Sequence, residues 1–518
     1  MKTFMHLIIF CDGTWNTPEQ TDGGISVPTN VVKMRNALEK TDKEGLEQRA
    51  YYHPGVGTKG GAIRRIIDGI VGDGLDKNIM SAYCWLAKNY QVGATIWLFG
   101  FSRGAFTVRS LGGMISHCGL LDLRSHPLSE KETWSAVQDV FNCYRAQKTV
   151  IASEERAFHY VTPGQSCSHT VPINFIGVWD TVGALGIPED VAFLSLLNGS
   201  SRYKFHDTSL SPMVKTARHA ISIDEKRQTF MPTLWTGVDP TRDVKQIWFP
   251  GVHADVGGGY VQHGLSDGAL RWMIEQAEAE GLRFREASLA QIVPDSLDQQ
   301  HDSAIGVFKD LKTRPRNVPF FSDENPSLHQ SALDRHRNPP LTQRDYWQGQ
   351  ALKKEQSIGV EVFAHEFWNF TGFYLQAGVT YEFHATGEWL DGHINCGPKG
   401  TRDGKFHFGK IPQALSSLLG KFELLYSKMT GNYQADFWLT KREERIGWFV
   451  LTGMVANDYL PDATPKHKND FLPHEVFQIG ERQVFTPKAS GYLYAFANDA
   501  WQAYGNNRGS VKLTVSRR

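Results

Sequence analysis

Gly100-Phe101-Ser102-Arg103-Gly104 follows directly on the apolar run Ala94-Thr-Ile-Trp-Leu-Phe99. The run is short and rich in aromatic and branched side chains, as a central parallel strand requires. Behind it, Phe106, Leu111, Met114 and Ile115 recur at helical spacing, although Gly112-Gly113 weakens that helix. A strand that breaks into a helix through Gly-x-Ser-x-Gly turns sharply, and a Cβ at either glycine would strike the neighbouring strand or helix. Ser102 is therefore expected at the tip of the turn, at the N-terminus of a helix beginning near Arg103. That end of a helix favours negative charge. The pentapeptide alone is a weak signal, and its context gives it weight.

The chain has 518 residues, which calls for two or three domains. Candidate strands 7–10, 94–99, 173–178 and 244–249 alternate with helical stretches 29–39, 78–88 and 103–115. The alternation predicts a mostly parallel, doubly wound α/β sheet with flanking helices, and the Gly-x-Ser-x-Gly elbow makes the expected type that of an α/β-hydrolase. The clearest helix is expected over 268–280, with Leu270, Met273, Ile274 and Ala277 as its apolar stripe and Ser266 or Asp267 as its cap. Residues 296–348 show little periodicity and read as an irregular closing segment. From about 355, runs such as Val379-Thr-Tyr-Glu-Phe-His-Ala-Thr386 and Gly491-Tyr-Leu-Tyr-Ala-Phe496 alternate apolar with polar residues. The expected organisation is a catalytic α/β domain over 1–350 and an all-β jelly-roll or sandwich over 355–518.

The formal net charge is +0, which argues against nucleic acid as a partner. Aromatics make up 12%, with 14 Trp, enough for a large core or an apolar binding surface. The 6 cysteines (Cys11, Cys84, Cys118, Cys143, Cys167, Cys396) are scattered, and none form Cys-x-x-Cys. Reduced thiols are expected, not a zinc site or a disulfide framework. The start, Met1-Lys-Thr-Phe-Met-His-Leu-Ile-Ile-Phe10, reads as a core strand, not as a cleaved leader. No apolar stretch approaches the length of a membrane span. The expectation is cytoplasmic synthesis without a cleaved signal peptide, and export, if any, by a route that needs none.

A serine hydroxyl needs a histidine to take its proton and a carboxylate to hold that histidine in the right tautomer. In this kind of fold the order is serine, acid, histidine, each at the C-terminal end of a strand. The run Ile173-Asn-Phe-Ile-Gly-Val178 ends in Trp179-Asp180-Thr181, which offers Asp180. The run Val244-Lys-Gln-Ile-Trp-Phe249 ends in Pro250-Gly-Val-His253-Ala-Asp255-Val-Gly-Gly-Gly259, a glycine-rich loop suited to a mobile base. The predicted triad is Ser102, Asp180 and His253. Asp255 is second choice for the acid, and His219 and His53 are rival histidines. An oxyanion needs backbone N–H donors. The first expected donor is the Arg103 amide. The second comes from Phe10-Cys-Asp-Gly-Thr-Trp-Asn16, through Gly13 or Thr14, with the Gly55–Gly61 loop less favoured. Asp12-Gly13-Thr14 also suggests the Asp-x-Asp-Gly-Thr motif of haloacid-dehalogenase-type phosphatases. Phe10 occupies the attacking position of that motif, which removes that chemistry.

Five segments in order resemble a family of bacterial α/β-hydrolases first catalogued as a domain of unknown function. They are Phe10-Cys-Asp-Gly-Thr-Trp-Asn16, Gly100-Phe-Ser-Arg-Gly-Ala-Phe106, Gly177-Val-Trp-Asp-Thr-Val-Gly183, Arg218-His-Ala-Ile-Ser-Ile-Asp-Glu225 and Trp248-Phe-Pro-Gly-Val-His-Ala-Asp-Val-Gly257. That family includes the first group of type VI secretion lipase effectors. The resemblance implies a Ser102–Asp180–His253 triad, phospholipid ester hydrolysis without a catalytic cofactor, and secretion-apparatus and immunity partners.

The C-terminal region resembles the calcium-dependent galactose-binding lectins of pseudomonads. The resemblance rests on Asn498-Asp-Ala-Trp-Gln-Ala-Tyr-Gly-Asn-Asn-Arg-Gly-Ser510, Gly387-Glu-Trp-Leu-Asp-Gly392 and Gly397-Pro-Lys-Gly400. It implies a Ca²⁺ site from Asp499, Asn506 and Asn507, with carbonyls of Ala503 and Asp391, which suits a hard cation. The segment after Gly400, which carries sugar contacts in such lectins, does not match. A jelly roll whose Asn-Asn turn only caps its own backbone is the competing reading.

The resulting expectation is a serine ester hydrolase acting on lipids, a phospholipase by preference, delivered as an antibacterial effector. The sandwich would bring it to a glycan- or membrane-bearing surface. The alternatives are an esterase for small or polyester substrates, or a surface-binding protein with a vestigial hydrolase. Segments 120–170 and 185–215 are the candidate lids.

Overall fold

The computed structural model describes residues 5–13, 16–55, 73–148, 158, 171–183, 210–304, 312–401, 440–459 and 473–518. They fall into two compact units. The first holds the described residues up to 304 together with 326–344, and the second holds 312–325 and everything from 345. The stretch 296–348, expected as one closing segment, thus contributes to both, and it forms a helix at Gln330–Arg337.

The first unit is built on β1 (Met5–Cys11), a small ribbon of β2 (Thr21–Asp22) and β3 (Ile25–Ser26), then β4 (Glu47–His53), β5 (Thr95–Phe101), β6 (Ile173–Trp179), β7 (Val214–Ser222) and β8 (Asp243–Phe249). Apart from the ribbon these strands make one sheet in the order β4-β1-β5-β6-β7-β8. Every pairing in it is parallel. A parallel sheet is covered on both faces, and residues of β1 and β5 alternate between two cores. Leu7, Ile9, Ile96 and Leu98 point to one core, which the helices Asp73–Asn89, Arg103–Cys118 and Glu130–Arg145 help to build. Ile8, Phe10, Trp97 and Phe99 point to the other, under Asn30–Ala37 and Gly264–Ala279. Local signals start two of these helices. Thr29 accepts the Val32 amide, and Ser129 and Glu132 form a capping box.

Two sequence expectations differ from the structure. The helix expected from 268 begins at Gly264, so Ser266 and Asp267 lie inside it and do not cap it. Its N-terminal amide is satisfied from afar, because Gly264 N donates to Asp298 Oδ2 at 2.7 Å. Strand β7 was not among the expected strands. It carries Arg218 and His219 inside the fold, and each finds hydrogen-bond partners on other elements. Arg218 reaches Gln276 Oε1 at 2.7 Å and Asp243 Oδ2 at 2.8 Å.

The second unit contains two antiparallel sheets. One runs β10 (Asn369–Leu375), β16 (Gly491–Ala497), β13 (Leu451–Ala456) and β14 (Glu475–Gln478). The other runs β12 (Ile394–Cys396), β11 (Tyr381–Asp391), β17 (Arg508–Arg517) and β9 (Ser357–Phe363), with β15 (Arg482–Phe485) also on β11. Alternate residues of both sheets, including Phe373, Leu375, Phe383, Leu451, Leu493 and Leu513, share one core.

Candidate active site

The chain adds β4 on one side of β1 and β5 on the other, so the strand order reverses at β1/β5. Ligand sites of open α/β sheets lie outside the carboxyl ends of strands at such a point. Both the Gly13 loop and the Ser102 elbow leave the sheet there.

The elbow is what its glycines demand. Ser102 has φ 57° and ψ −121° at the cap of the helix Arg103–Cys118. A non-glycine residue held there costs about 1–3 kcal/mol. The surroundings hold it in place. Ser102 N donates to Trp179 O at 3.0 Å, and Phe106 N donates to Ser102 O at 3.2 Å. A Cβ at Gly100 would lie 2.5 Å from the Gly104 carbonyl oxygen, and one at Gly104 would collide with the Cys11 carbonyl. Gly104→Ala is therefore expected to destabilise the protein by about 3 kcal/mol, the upper part of the overpacking range. Urea unfolding of variant and wild type would measure it.

Asp180 and His253 meet. His253 Nδ1 lies 2.6 Å from Asp180 Oδ2, and the two side chains are 7% and 0% exposed. The other Asp180 oxygen accepts Ser222 N at 3.0 Å. Asp180 also has a positive φ, of 36°. Burial holds the His253 imidazole below the ordinary histidine range, while the Asp180 carboxylate pulls the other way. The ring contacts two phenyl groups, Phe101 at 4.6 Å and Phe230 at 4.9 Å between centroids. Among the described residues Ser102 Oγ makes no hydrogen bond to His253. Such bonds are often long in ligand-free enzymes and tighten on substrate.

His253 does not sit on a loose loop. It opens a short helix, His253–Gly257. The glycines there serve close approach, since a Cβ at Gly257 would run into the Phe101 ring. Asp255, the second-choice acid, faces elsewhere. It binds His301 Nδ1 at 2.6 Å and accepts Val252 N at 3.0 Å. His219 is in mid-strand, where its Nε2 accepts the Thr181 amide at 3.1 Å. It supports the residue after Asp180. His53 ends β4, with its ring on Pro54 O at 2.8 Å.

Of the expected oxyanion donors, Arg103 opens the elbow helix. Gly13 lies against the serine, since a Cβ there would be 3.1 Å from Ser102 Cβ. Its N–H, however, donates to Asp12 Oδ1 at 2.8 Å. Asp12 Oδ2 in turn accepts Thr29 Oγ1 at 2.7 Å and Tyr52 OH at 3.0 Å. Burial pushes the Asp12 carboxyl up to about 6. Thr14 and most of the Gly55–Gly61 loop are outside the described residues, as are all of 149–170 but Phe158, and all of 185–209, in the candidate lids 120–170 and 185–215.

Of the expected cation ligands in the second unit, Asp499 and Asn507 are in contact, Asp391 and Asn506 are nearby, and the Ala503 carbonyl accepts the Asn506 amide at 3.2 Å. Asp499 is fully buried, and burial followed by the nearby Asp391 carboxylate pushes it up to about 7. Asp499 Oδ2 accepts Asn507 Nδ2 at 3.1 Å. Asn506 Oδ1 and Asn507 Oδ1 are buried and have no donor among the described residues. A Cβ on Gly392, beside Asp391, would lie 3.5 Å from Asn506 Nδ2, so the β11–β12 turn adjoins this loop. Two orphaned amide oxygens beside carboxylates fit a hard cation. The 402–439 stretch after Gly400 is outside the described residues.

A parallel sheet whose inner strand ends in a glycine-flanked, strained serine defines the α/β-hydrolase class of fold. The chain belongs to the family described as T6SS, Phospholipase effector Tle1-like, catalytic domain, whose model matches residues 5–276. An uncharacterized protein of Saccharomyces cerevisiae, YEL023C, is 32% identical over 245 residues, 44% of this chain and 32% of the relative. The chain thus spans about a third of the length of that curated relative. Among solved structures, an uncharacterized protein from Pseudomonas aeruginosa is similar at 17% identity and a TM-score of 0.33, over 56% of this chain and 49% of that one. A Tle1 effector bound to the VgrG spike of the type 6 secretion system is similar at 17% identity and a TM-score of 0.31, over 50% and 52%. The EclA N-terminal domain, a PllA-like lectin, is similar at 17% identity and a TM-score of 0.18, over 31% and 95%. Among the described residues no helix is long and apolar enough to cross a membrane.

Proposed function

We propose that the chain is a serine ester hydrolase acting on lipids, with phospholipid acyl esters as substrate. The observation that carries this reading is the 2.6 Å contact of His253 with Asp180 at strand ends next to the Ser102 elbow, in a chain of this family. Ser102 Oγ attacks the acyl carbonyl and its proton passes to His253 Nε2. Asp180 holds the Nδ1–H tautomer and stabilises the imidazolium. The oxyanion takes N–H donors from Arg103 and from the Gly13–Thr14 loop. The Gly13 amide enters that role by exchanging Asp12 Oδ1 for the oxyanion. Collapse expels the lipid alcohol, which takes its proton from His253. Water, deprotonated by the same histidine, then releases the fatty acid and restores Ser102.

The C-terminal sandwich is proposed to carry the chain to a glycan- or membrane-bearing surface. Asp499, Asn506, Asn507, Asp391 and the Ala503 carbonyl would hold Ca²⁺ there, with a structural role that organises the loop and no part in hydrolysis. Family membership supports type VI secretion as the export route, with the secretion apparatus and an immunity protein as partners and a target cell's lipid as substrate.

Release of fatty acid from phosphatidylethanolamine and phosphatidylglycerol vesicles, set against a p-nitrophenyl ester chain-length series, tests the reading. Preference for long-chain lipid is expected. Turnover of short soluble esters alone would replace it with a small-substrate esterase. Absence of both activities and of fluorophosphonate labelling at Ser102, with binding to vesicles or glycans retained, would leave a surface-binding protein.

A further inference from the structure

The segment leaving β7, Ser222-Ile-Asp-Glu225-Lys-Arg227-Gln-Thr-Phe230, touches the acid and the base of the site at once. Ser222 N donates to Asp180 Oδ1 at 3.0 Å, and Ser222 Oγ donates to Gly251 O at 2.9 Å. Asp224 Oδ2 accepts Gly251 N at 2.7 Å. Glu225 is 1% exposed, and its Oε2 accepts the His253 backbone N–H at 3.3 Å. Nothing in the proposed chemistry uses Glu225, Arg227 or Phe230, yet the first two form a buried charge pair beside the base. Arg227 grips Glu225 through Nε at 2.9 Å and Nη2 at 2.7 Å. Ser303 Oγ adds a bond to Glu225 Oε1 at 2.9 Å. With both charges satisfied, the pair can stay in the interior.

The guanidinium does a second thing. Its carbon lies 3.6 Å from the centroid of Phe230, a cation–π contact in a desolvated place. Phe230 in turn meets the His253 imidazole edge-to-face, at 78° between the planes. Phe101 packs on the imidazole as well, at 31° between the planes. Asp180 fixes only one ring atom, Nδ1. Rotation about that hydrogen bond is what the two phenyl rings block.

We infer that Phe230 is a positioning residue for His253, set in place by the Arg227–Glu225 pair, and that this stack keeps the imidazole aimed at Ser102. The inference rests on the hydrolase reading of the same site. The stack also governs the protonation of the base. Three charged groups act on the ring: Asp180 at the end of β6, and Arg227 and Glu225 beyond β7. Burial and the Arg227 charge disfavour the imidazolium, and Asp180 and Glu225 favour it. A smaller side chain at 230 admits water to the ring. The proton is then held to higher pH, and the acid limb of kcat/KM moves up.

The test compares Phe230→Leu, Phe230→Tyr and Arg227→Lys with wild type, using vesicle hydrolysis, fluorophosphonate labelling of Ser102 and pH profiles. Phe230→Leu is expected to lower kcat by about 10- to 100-fold, the scale of small misplacements of a catalytic group, with the acid limb raised and KM little changed. Phe230→Tyr, which keeps the ring, is expected to restore the wild-type acid limb. Arg227→Lys keeps the charge but loses the bidentate grip and the flat stacking face. It should fall between the two. Unaltered labelling rate and acid limb in Phe230→Leu, with wild type active, would overturn the inference while leaving the hydrolase reading intact. Failure of wild type itself to label or hydrolyse would instead remove the reading beneath it.

Discussion

Replacing Ser102 by Ala is expected to lower kcat for lipid ester hydrolysis by about 10⁶-fold, the loss typical of removing a serine nucleophile. The fold should survive, because the backbone at φ 57° treats Ala and Ser alike and Oγ anchors nothing among the described residues. Thermal unfolding of the variant should therefore match wild type. Asp180→Asn should cost less, about 10⁴-fold, because it leaves the ring but offers it the wrong tautomer. The asymmetry is diagnostic. A serine that only capped its helix would give two similar, small effects. The pH profile adds a check with a definite sign. The base must be neutral to work, and burial disfavours the protonated ring. The acid limb of wild-type kcat/KM should thus lie below about 6.5, the ordinary histidine value. Hydrolysis by Ser102→Ala at even a hundredth of the wild-type rate would remove the mechanism.

The second large effect is expected in the sandwich. Asn506 Oδ1 and Asn507 Oδ1 are buried with no donor among the described residues, and each such group costs about 1–3 kcal/mol. A Ca²⁺ ion would satisfy both and offset the repulsion between Asp499 and Asp391. Saturation at a thousand times Kd stabilises by about 4 kcal/mol. For a unit of this size that is on the order of 10 °C in Tm. Calorimetry of the whole protein, with millimolar Ca²⁺ and with chelator, reads it directly. Asp499→Asn should erase the shift. Hydrolysis of a soluble ester at low temperature should not respond to chelator. An unshifted sandwich transition at millimolar Ca²⁺ would favour the competing view, in which the Asn-Asn turn only caps its own backbone.

The elbow was readable because its constraint is steric and local. Glycines at 100 and 104 are required by carbonyls within the same strand, turn and neighbouring loop. Asp180 and His253 were readable because strand ends announce themselves through apolar runs. Strand β7 escaped because Arg218 and His219 look polar in isolation. Their partners, Asp243, Gln276 and the Thr181 amide, come from other elements. The start of the 264–279 helix escaped for the same reason, since Asp298 supplies the bond from 34 positions away. The roles of Glu225, Arg227 and Phe230 are tertiary as well. One signal was available for Glu225 alone: Arg218-His-Ala-Ile-Ser-Ile-Asp-Glu225 is among the runs that carry the resemblance to the family, although none of its residues entered the expected triad.

The hydrogen bonds that fix the site run between neighbouring strands, those of Ser102 and Asp180 in the sheet interior and that of Ile223 to the edge strand β8. Ser102 N is held by Trp179 O, Asp180 N by Ala220 O at 2.7 Å, and Ile223 N by Phe249 O at 3.0 Å. Amides in such places exchange with solvent only when a large cooperative unit opens. Nucleophile and acid, at the ends of the interior strands β5 and β6, therefore share the fate of a well-protected part of the sheet, whereas the base follows the edge strand β8. Local breathing that loosens surface segments leaves Ser102 and Asp180 undisturbed, and activity should be lost no later than the sheet itself.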